Sequence, residues 1–223
     1  TVARGGSVLL PSFAIGRAQA LLLVLQRLKQ RGEIPRDLPV FVDSPMAVAA
    51  TGLYRRFGAL LRIKPAELRR LLDGVRLVET AQQSMRLSGL RYPSVIISAS
   101  GMATGGRVLH HLKAMAPEPR HHIVFPGFQV GGSRGAKLVA GATEIKIHGA
   151  YVPVRASVSH LEGFSGHADA DELLAWLGAQ PQPPRQTFVV HGEPAAADTL
   201  RSRIADTLGW RVRVPQHGER VSV

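Results

Sequence analysis

The chain alternates short apolar runs with helix-length amphipathic segments, and each junction is a few residues rich in Gly, Ser or Pro. That alternation predicts an α/β fold, a mainly parallel sheet with helices on its faces. Residues 7–10 (SVLL), 39–42 (PVFV), 75–78, 94–98 (SVIIS) and 122–125 (HIVF) read as strands, and residues 17–31 and 107–115 as helices. Ser44 and Pro45 read as the N-cap and first residue of a helix, a position where the N–H that Pro lacks costs nothing. A mostly helical stretch follows over 47–72, broken near Gly52, Gly58 and Lys64-Pro65, and holds Arg55, Arg56, Arg62, Arg69 and Arg70.

From residue 144 the pattern changes. Residues 144–159 alternate apolar and polar side chains, as half-buried antiparallel strands do. A loop at 161–166, a helix at 169–177, a Pro-rich connection at 181–184, a strand at 187–190, a helix at 195–208 and a strand at 211–215 complete the chain. A domain boundary is expected near residues 143–163, with domains 1–143 and 144–223.

The composition, 45% hydrophobic and 20% charged over 223 residues, suits a chain with a core. Charge is lopsided: 28 Lys and Arg, of which 23 are Arg, face 16 Asp and Glu, for +12. Residues 1–163 hold 22 basic and 9 acidic residues, and residues 164–223 hold 6 and 7. Two readings stand, a surface for a polyanion such as nucleic acid and a general use of Arg as a solvated cation. No apolar run approaches the roughly 18–20 residues of a membrane span, and the start lacks the pattern of a signal peptide. The absence of Met at the start and the turn-like Gly5-Gly6 before a strand lead to the expectation of a piece of something longer. Absence of Cys is compatible with a cytoplasmic protein.

Three loops share one order: strand end, small residues, helix start. Backbone N–H groups at such a start carry partial positive charge and can hold a phosphate. Residues 12–17 (SFAIGR) offer Ser12, the Phe13 ring and Arg17. Residues 98–107 (SASGMATGGR) offer Ser100 and Thr104, the glycines Gly101, Gly105 and Gly106, and Arg107. Residues 128–134 (FQVGGSR) offer Phe128, Gln129 and Arg134. Rings beside guanidiniums suit single-stranded RNA, while tight-turn chemistry is the ordinary account of the glycines. No P-loop occurs, and Gly101-x-x-x-Gly105-Gly106 has the wrong spacing for a dinucleotide fingerprint.

Of nine His residues, the pairs His110-His111 and His121-His122 are expected at the surface, since successive helical residues diverge by about 100°. His148, His160 and His217 stand alone and carry the same expectation. His167, in FSGHAD before a helix, and His191, in FVVHGE at the end of a strand, where α/β sheets place sites, stand in suggestive contexts, while a structural role is the ordinary account of each taken singly. Ser165 or Asp169 is placed to fix the His167 ring. Two His do not make a closed zinc site, and neither His-x-His nor His-x-x-x-His occurs.

GGSVLLPSFAIGRAQALLLVL, VFVDSPMA, IISASGMATGGRVLHHL, IVFPGFQVGGSRG, FSGHADADELLAWL and FVVHGEP, in this order, closely resemble the β-CASP nucleases of the metallo-β-lactamase superfamily, over about residues 5–223. The nearer likeness is to bacterial and archaeal relatives of the endonuclease subunit of the cleavage and polyadenylation machinery. The resemblance implies a Rossmann-like β-CASP domain over 1–143, truncated at its N-terminal edge, and over 144–223 the C-terminal part of a metallo-β-lactamase αβ/βα sandwich. It implies RNA as the partner and two Zn2+ ions per intact active site.

By the same resemblance His191 is a zinc ligand, and His167 a catalytic residue, a candidate general acid beside the scissile phosphate. Ser12, Phe13, Arg17, Ser100, Gly101, Met102, Thr104, Gly105, Gly106, Arg134 and Ser165 fall on surfaces that hold RNA. The family's His-x-His-x-Asp-His motif, its next metal-binding His and Asp, and its first acidic β-CASP motif are not in this sequence. The chain alone is therefore expected to supply at most one zinc ligand and to lack nuclease activity. It is also expected to expose apolar surface and to self-associate or be marginally stable. Alternatives are a non-catalytic RNA-binding member of the family and a nucleotide-binding Rossmann-like domain.

Overall fold

The computed structural model describes residues 1–221. They form two compact units, one of residues 1–166 and one that begins at residue 167.

The first unit is built on β1 (Val8–Pro11), β2 (Val40–Asp43), β3 (Val75–Leu77), β4 (Val95–Ser98), β5 (His122–Pro126) and β8 (Ser157–Leu161). They pair in the order β3-β2-β4-β1-β5-β8, and every pairing is parallel. Period-2 alternation sends successive side chains to opposite faces. Leu9, Phe41, Ile96, Ile123 and Phe125 meet α5 (Val108–Met115) on one face. Leu10, Val40, Val42, Val95 and Ile97 meet α1 (Arg17–Arg31) and α2 (Pro45–Arg56) on the other. Each fully buried side chain contributes about 1.5–3 kcal/mol. Residues 17–31 are helical as expected, and Ser44 caps α2 by accepting from the Ala47 N–H at 3.2 Å.

The expected helical stretch over 47–72 resolves into α2, a short turn at 58–60 and α3 (Pro65–Arg70). Two helices lie outside the sequence reading: α4 (Ala81–Leu87), started by a Thr80/Gln83 capping box, and α6 (Arg134–Val139), which begins inside the glycine-rich loop.

The expectation of antiparallel strands over 144–159 is corrected in part. β6 (Glu144–Ile147) and β7 (Ala150–Pro153) form an antiparallel hairpin, but β8 joins the main sheet parallel to β5. Ile145, Ile147 and Val152 of the hairpin belong to the same core as Phe125. For this reason the compact units divide at 166/167, later than the expected 143/144 boundary.

The second unit holds α7 (Ala170–Gly178), β9 (Thr187–Phe188), α8 (Pro194–Leu208) and β10 (Val212–Arg213), with β9 and β10 parallel. Its core is small: Val189, Ala197 and Ile204 are buried, and Leu174, Leu177 and Trp210 pack against them. No helix among the described residues is long and apolar enough to cross a membrane.

Candidate nucleic-acid interface

In a parallel sheet all carboxyl ends share one edge, and ligand sites form where connections leave in opposite directions. Here β1 lies between β4 and β5, and α1 and α5 cover opposite faces. The loops after β1, β4 and β5 therefore meet at that switch point.

They are tied together by their own polar groups. Arg17 donates to the Pro126 carbonyl, and burial lowers its guanidinium from the ordinary value. Gln129 Nε2 donates to the Gly101 carbonyl at 3.1 Å, and the Gly135 N–H to the Met102 carbonyl at 3.1 Å. Arg134 donates to the carbonyls of Ala103 and Thr104, at 3.3 and 3.1 Å, and to that of Lys146 at 2.5 Å. The 101–104 loop thus turns its carbonyls to a neighbouring loop. No described group bonds the backbone N–H of Thr104, Gly105 or Gly106, just ahead of α5. Gly101 is closely packed: a Cβ there would lie 3.1 Å from the Phe13 nitrogen and 3.3 Å from its ring, so these neighbours would have to give by a few tenths of an ångström.

What remains at the surface is chosen by these ties. Phe13 is 48% exposed and Phe128 65%. Thr104 is exposed and shares a 3.1 Å hydrogen bond with Ser100, while Met102, half-buried, lies between them in the loop. Ser12 and Gly101 are buried, and the Ser12 hydroxyl donates to the Phe13 carbonyl at 3.0 Å. Arg17 and Arg134 hold loops together, and Ser165 lies exposed after the 162–164 turn.

Behind this edge lies a buried charge cluster that sequence reasoning missed. Asp43, fully buried at the end of β2, accepts from Ser84 at 2.5 Å, from Arg107 at 2.9 Å and from His111 Nε2 at 2.6 Å. Burial pushes its carboxyl up, but the bonds from His111, Ser84 and Arg107 together outweigh it and hold the group below the ordinary carboxylate range. Arg107 also donates to the carbonyls of Val78 and Glu79, and the Ser98 hydroxyl donates to that of Asp43. Both ends of the 99–106 loop are therefore anchored on Asp43.

The expected surface placement fails for two of the paired histidines. His111 is fully buried, and His121 is buried with its Nδ1 accepting the Ser7 N–H at 3.0 Å. His111 faces inward because α5 presents that position to the sheet core, and His121, just ahead of β5, is turned inward onto the Ser7 N–H. Their partners follow the diverging geometry, His110 exposed and His122 half-buried. His160 is half-buried with Nε2 2.9 Å from the Gly127 carbonyl oxygen. A signal for the cluster is present in the sequence: an Asp closing the apolar run VFVD, and Arg107 and His111 four apart on one helical face.

In the second unit His167 is exposed two residues before Asp169, which caps α7 by accepting from the Glu172 N–H at 2.8 Å. His191 is exposed with φ 65°. It lines a cleft of about 340 Å³ at the carboxyl edge of β9 and β10, with Gly192, Gln216 and His217. No group of three or more His, Cys, Asp or Glu among the described residues could hold a metal ion. A zinc site takes three or four protein donors, so the described residues do not make one up.

A Rossmann-like parallel sheet with a polar carboxyl edge, followed by a small α/β unit carrying exposed histidines, defines a class of two-part α/β proteins with sites at strand ends. Within it, residues 18–138 match the family model of the Beta-Casp domain, and residues 151–215 that of the Zn-dependent metallo-hydrolase RNA specificity domain. The chain belongs to the Beta-Casp family.

Among similar proteins, Ribonuclease TTHA0252 of Thermus thermophilus is 39% identical over 232 residues, covering 100% of this chain and 51% of the relative. Transcription termination factor FttA of Pyrococcus abyssi is 31% identical, covering 97% of this chain and 35% of the relative. An RNase J-like protein of Methanocaldococcus jannaschii is 32% identical, covering 98% and 50%. The chain spans about half, or less, of the length of these curated relatives.

Proposed function

We propose that this chain carries the RNA-holding surface and part of the catalytic shell of an RNA-hydrolysing enzyme. One observation carries the reading: three loops of a Beta-Casp sheet share one edge, on which Phe13 and Phe128 stand exposed and the N–H groups of residues 104–106 bond no described group. Exposed rings stack on bases, and N–H groups ahead of a helix attract phosphate oxygens. Names among its relatives, a ribonuclease and an RNase J-like protein, support the same substrate class.

On this reading Ser100, Thr104 and the 104–106 backbone hold RNA phosphates, and Phe13 and Phe128 hold bases. Ser12, Gly101, Arg17 and Arg134 keep the loops in register. His167 gives a proton to the leaving oxygen, and His191 is one donor to a zinc site whose other donors lie outside the described residues. Residues 1–143 act as the RNA-clamping domain and 144–223 as part of the hydrolytic one, although strands over 144–161 pack with the first unit.

Fluorescence anisotropy of a labelled, unstructured RNA with the 223-residue chain tests the reading. Binding is expected without cleavage, and each Phe→Ala change at Phe13 or Phe128 should weaken it by about 1–3 kcal/mol per stacked base. Unchanged affinity in the double variant would remove the edge from the RNA path, and stoichiometric zinc with RNA hydrolysis by this chain would overturn the assignment of missing donors.

A further inference from the structure

The guanidiniums of the carboxyl-edge loops, Arg17, Arg107 and Arg134, are all engaged with carbonyls or carboxylates of the fold. The unengaged part of the charge excess lies elsewhere. Residues 55–76, from the end of α2 through α3 into β3, hold seven Lys and Arg against two Asp and Glu, and all seven cations are exposed. Glu67, one of the two acids, is taken by Arg27 at 2.7 Å.

Arg55, Arg56, Arg62, Arg69, Arg70 and Arg76 make no side-chain hydrogen bond or ion pair among the described residues. Exposed apolar groups stand among them: Phe57 is 50% exposed, Leu60 82%, and the Arg56 guanidinium lies 5.4 Å over the Phe57 ring. A merely solvated face mixes its signs, whereas this one is almost wholly cationic and carries a ring.

Planar guanidiniums pair with phosphate in bidentate fashion, and an exposed ring beside them offers a stacking platform for an unpaired base. We infer that the α2–α3 surface is a second contact for single-stranded RNA, separate from the carboxyl-edge loops. The inference rests on the RNA reading above and places the electrostatic part of binding away from the stacking part.

The test compares three forms of the 223-residue chain on an unstructured, labelled RNA at about 50 to 200 mM KCl. These are the unaltered chain, a quadruple Arg→Gln variant at 55, 56, 62 and 69, and a Phe13→Ala/Phe128→Ala variant. The quadruple variant should lose about tenfold or more in affinity at the lowest salt, and its salt slope should flatten by about 0.7 per phosphate contact removed. The matching Arg→Lys variant, which retains the charges, should keep the slope. Polyglutamate of equal length should not compete. An unchanged slope and affinity in the quadruple variant, with weaker binding by the Phe variant, overturns this surface and leaves the RNA reading standing. No binding by the unaltered chain overturns both, and competition by polyglutamate as strong as by RNA assigns the surface to an acidic protein instead.

Discussion

The two units each place ionisable side chains at the carboxyl edge of a parallel sheet, and treat them in opposite ways. In the first, Asp43 and His111 are fully buried and each has its partners supplied by neighbouring elements. In the second, His191 is exposed in an open cleft, on a backbone held at φ 65°. The first edge is completed from within its own unit and works as a frame. The second leaves an imidazole open to solvent, with no group of metal-binding side chains beside it among the described residues.

The largest expected effect breaks the frame. Asp43→Ala removes the acceptor for Arg107, His111 and Ser84 and leaves buried donors unsatisfied, a loss of about 3–5 kcal/mol, read as a lower urea midpoint. A loss of under about 1 kcal/mol would mean that the cluster is not a frame. Because the folded Asp43 pKa is depressed, its contribution is present above the unfolded carboxylate pKa and lost as pH falls through the folded one. That acid sensitivity should be absent in Asp43→Asn.

Hydrogen exchange gives the next contrast. Amides of α7 and α8, over three buried apolar residues, should exchange before those of β1 and β4, which lie between two cores. Simultaneous exchange would erase the distinction between the units.

Gly101→Ala sharpens the loop side of the comparison. Its Cβ would crowd the Phe13 backbone and ring, so a loss of about 1–3 kcal/mol is expected from overpacking, with weaker RNA binding than a matching change at Gly105, whose Cβ would meet open space. The smallest effect is a pH slope. His121 is lowered chiefly by burial, then by Arg120, and His122 chiefly by burial, then by the N-terminus. Neutral imidazoles favour the fold, so stability is full above about pH 6.5 and declines as pH falls toward the folded values. His121→Gln should flatten the decline in thermal midpoint between neutral and mildly acidic buffer.

Much of this fold was legible because period and punctuation agree. The VFVD run, the Ser44-Pro45 start and residues 17–31 follow local rules, and the structure keeps them. The α4 and α6 helices were not, since each is only six or seven residues long and has no amphipathic period to read. β8 looked antiparallel because alternation reports a half-buried face and says nothing of partner direction. At the site, the exposed rings could be anticipated from loop placement. The roles of Arg17 and Arg134 could not, because a guanidinium beside a glycine-rich loop reads the same whether it faces a phosphate or a carbonyl. His111 was misplaced for a similar reason: an adjacent pair reveals that one ring points away from the other, but not which one enters the core.

The pairing of β8 with β5 has a practical consequence for how the gene can be divided. The Beta-Casp match ends at residue 138, yet the strand that closes the sheet comes from residues 157–161. A protein cut between them would bare the β5 edge, HIVFP, a short apolar strand with no Lys or Glu to discourage pairing with another chain. Expression boundaries drawn at the sequence seam should therefore give aggregates, and boundaries at residue 166 a soluble first unit.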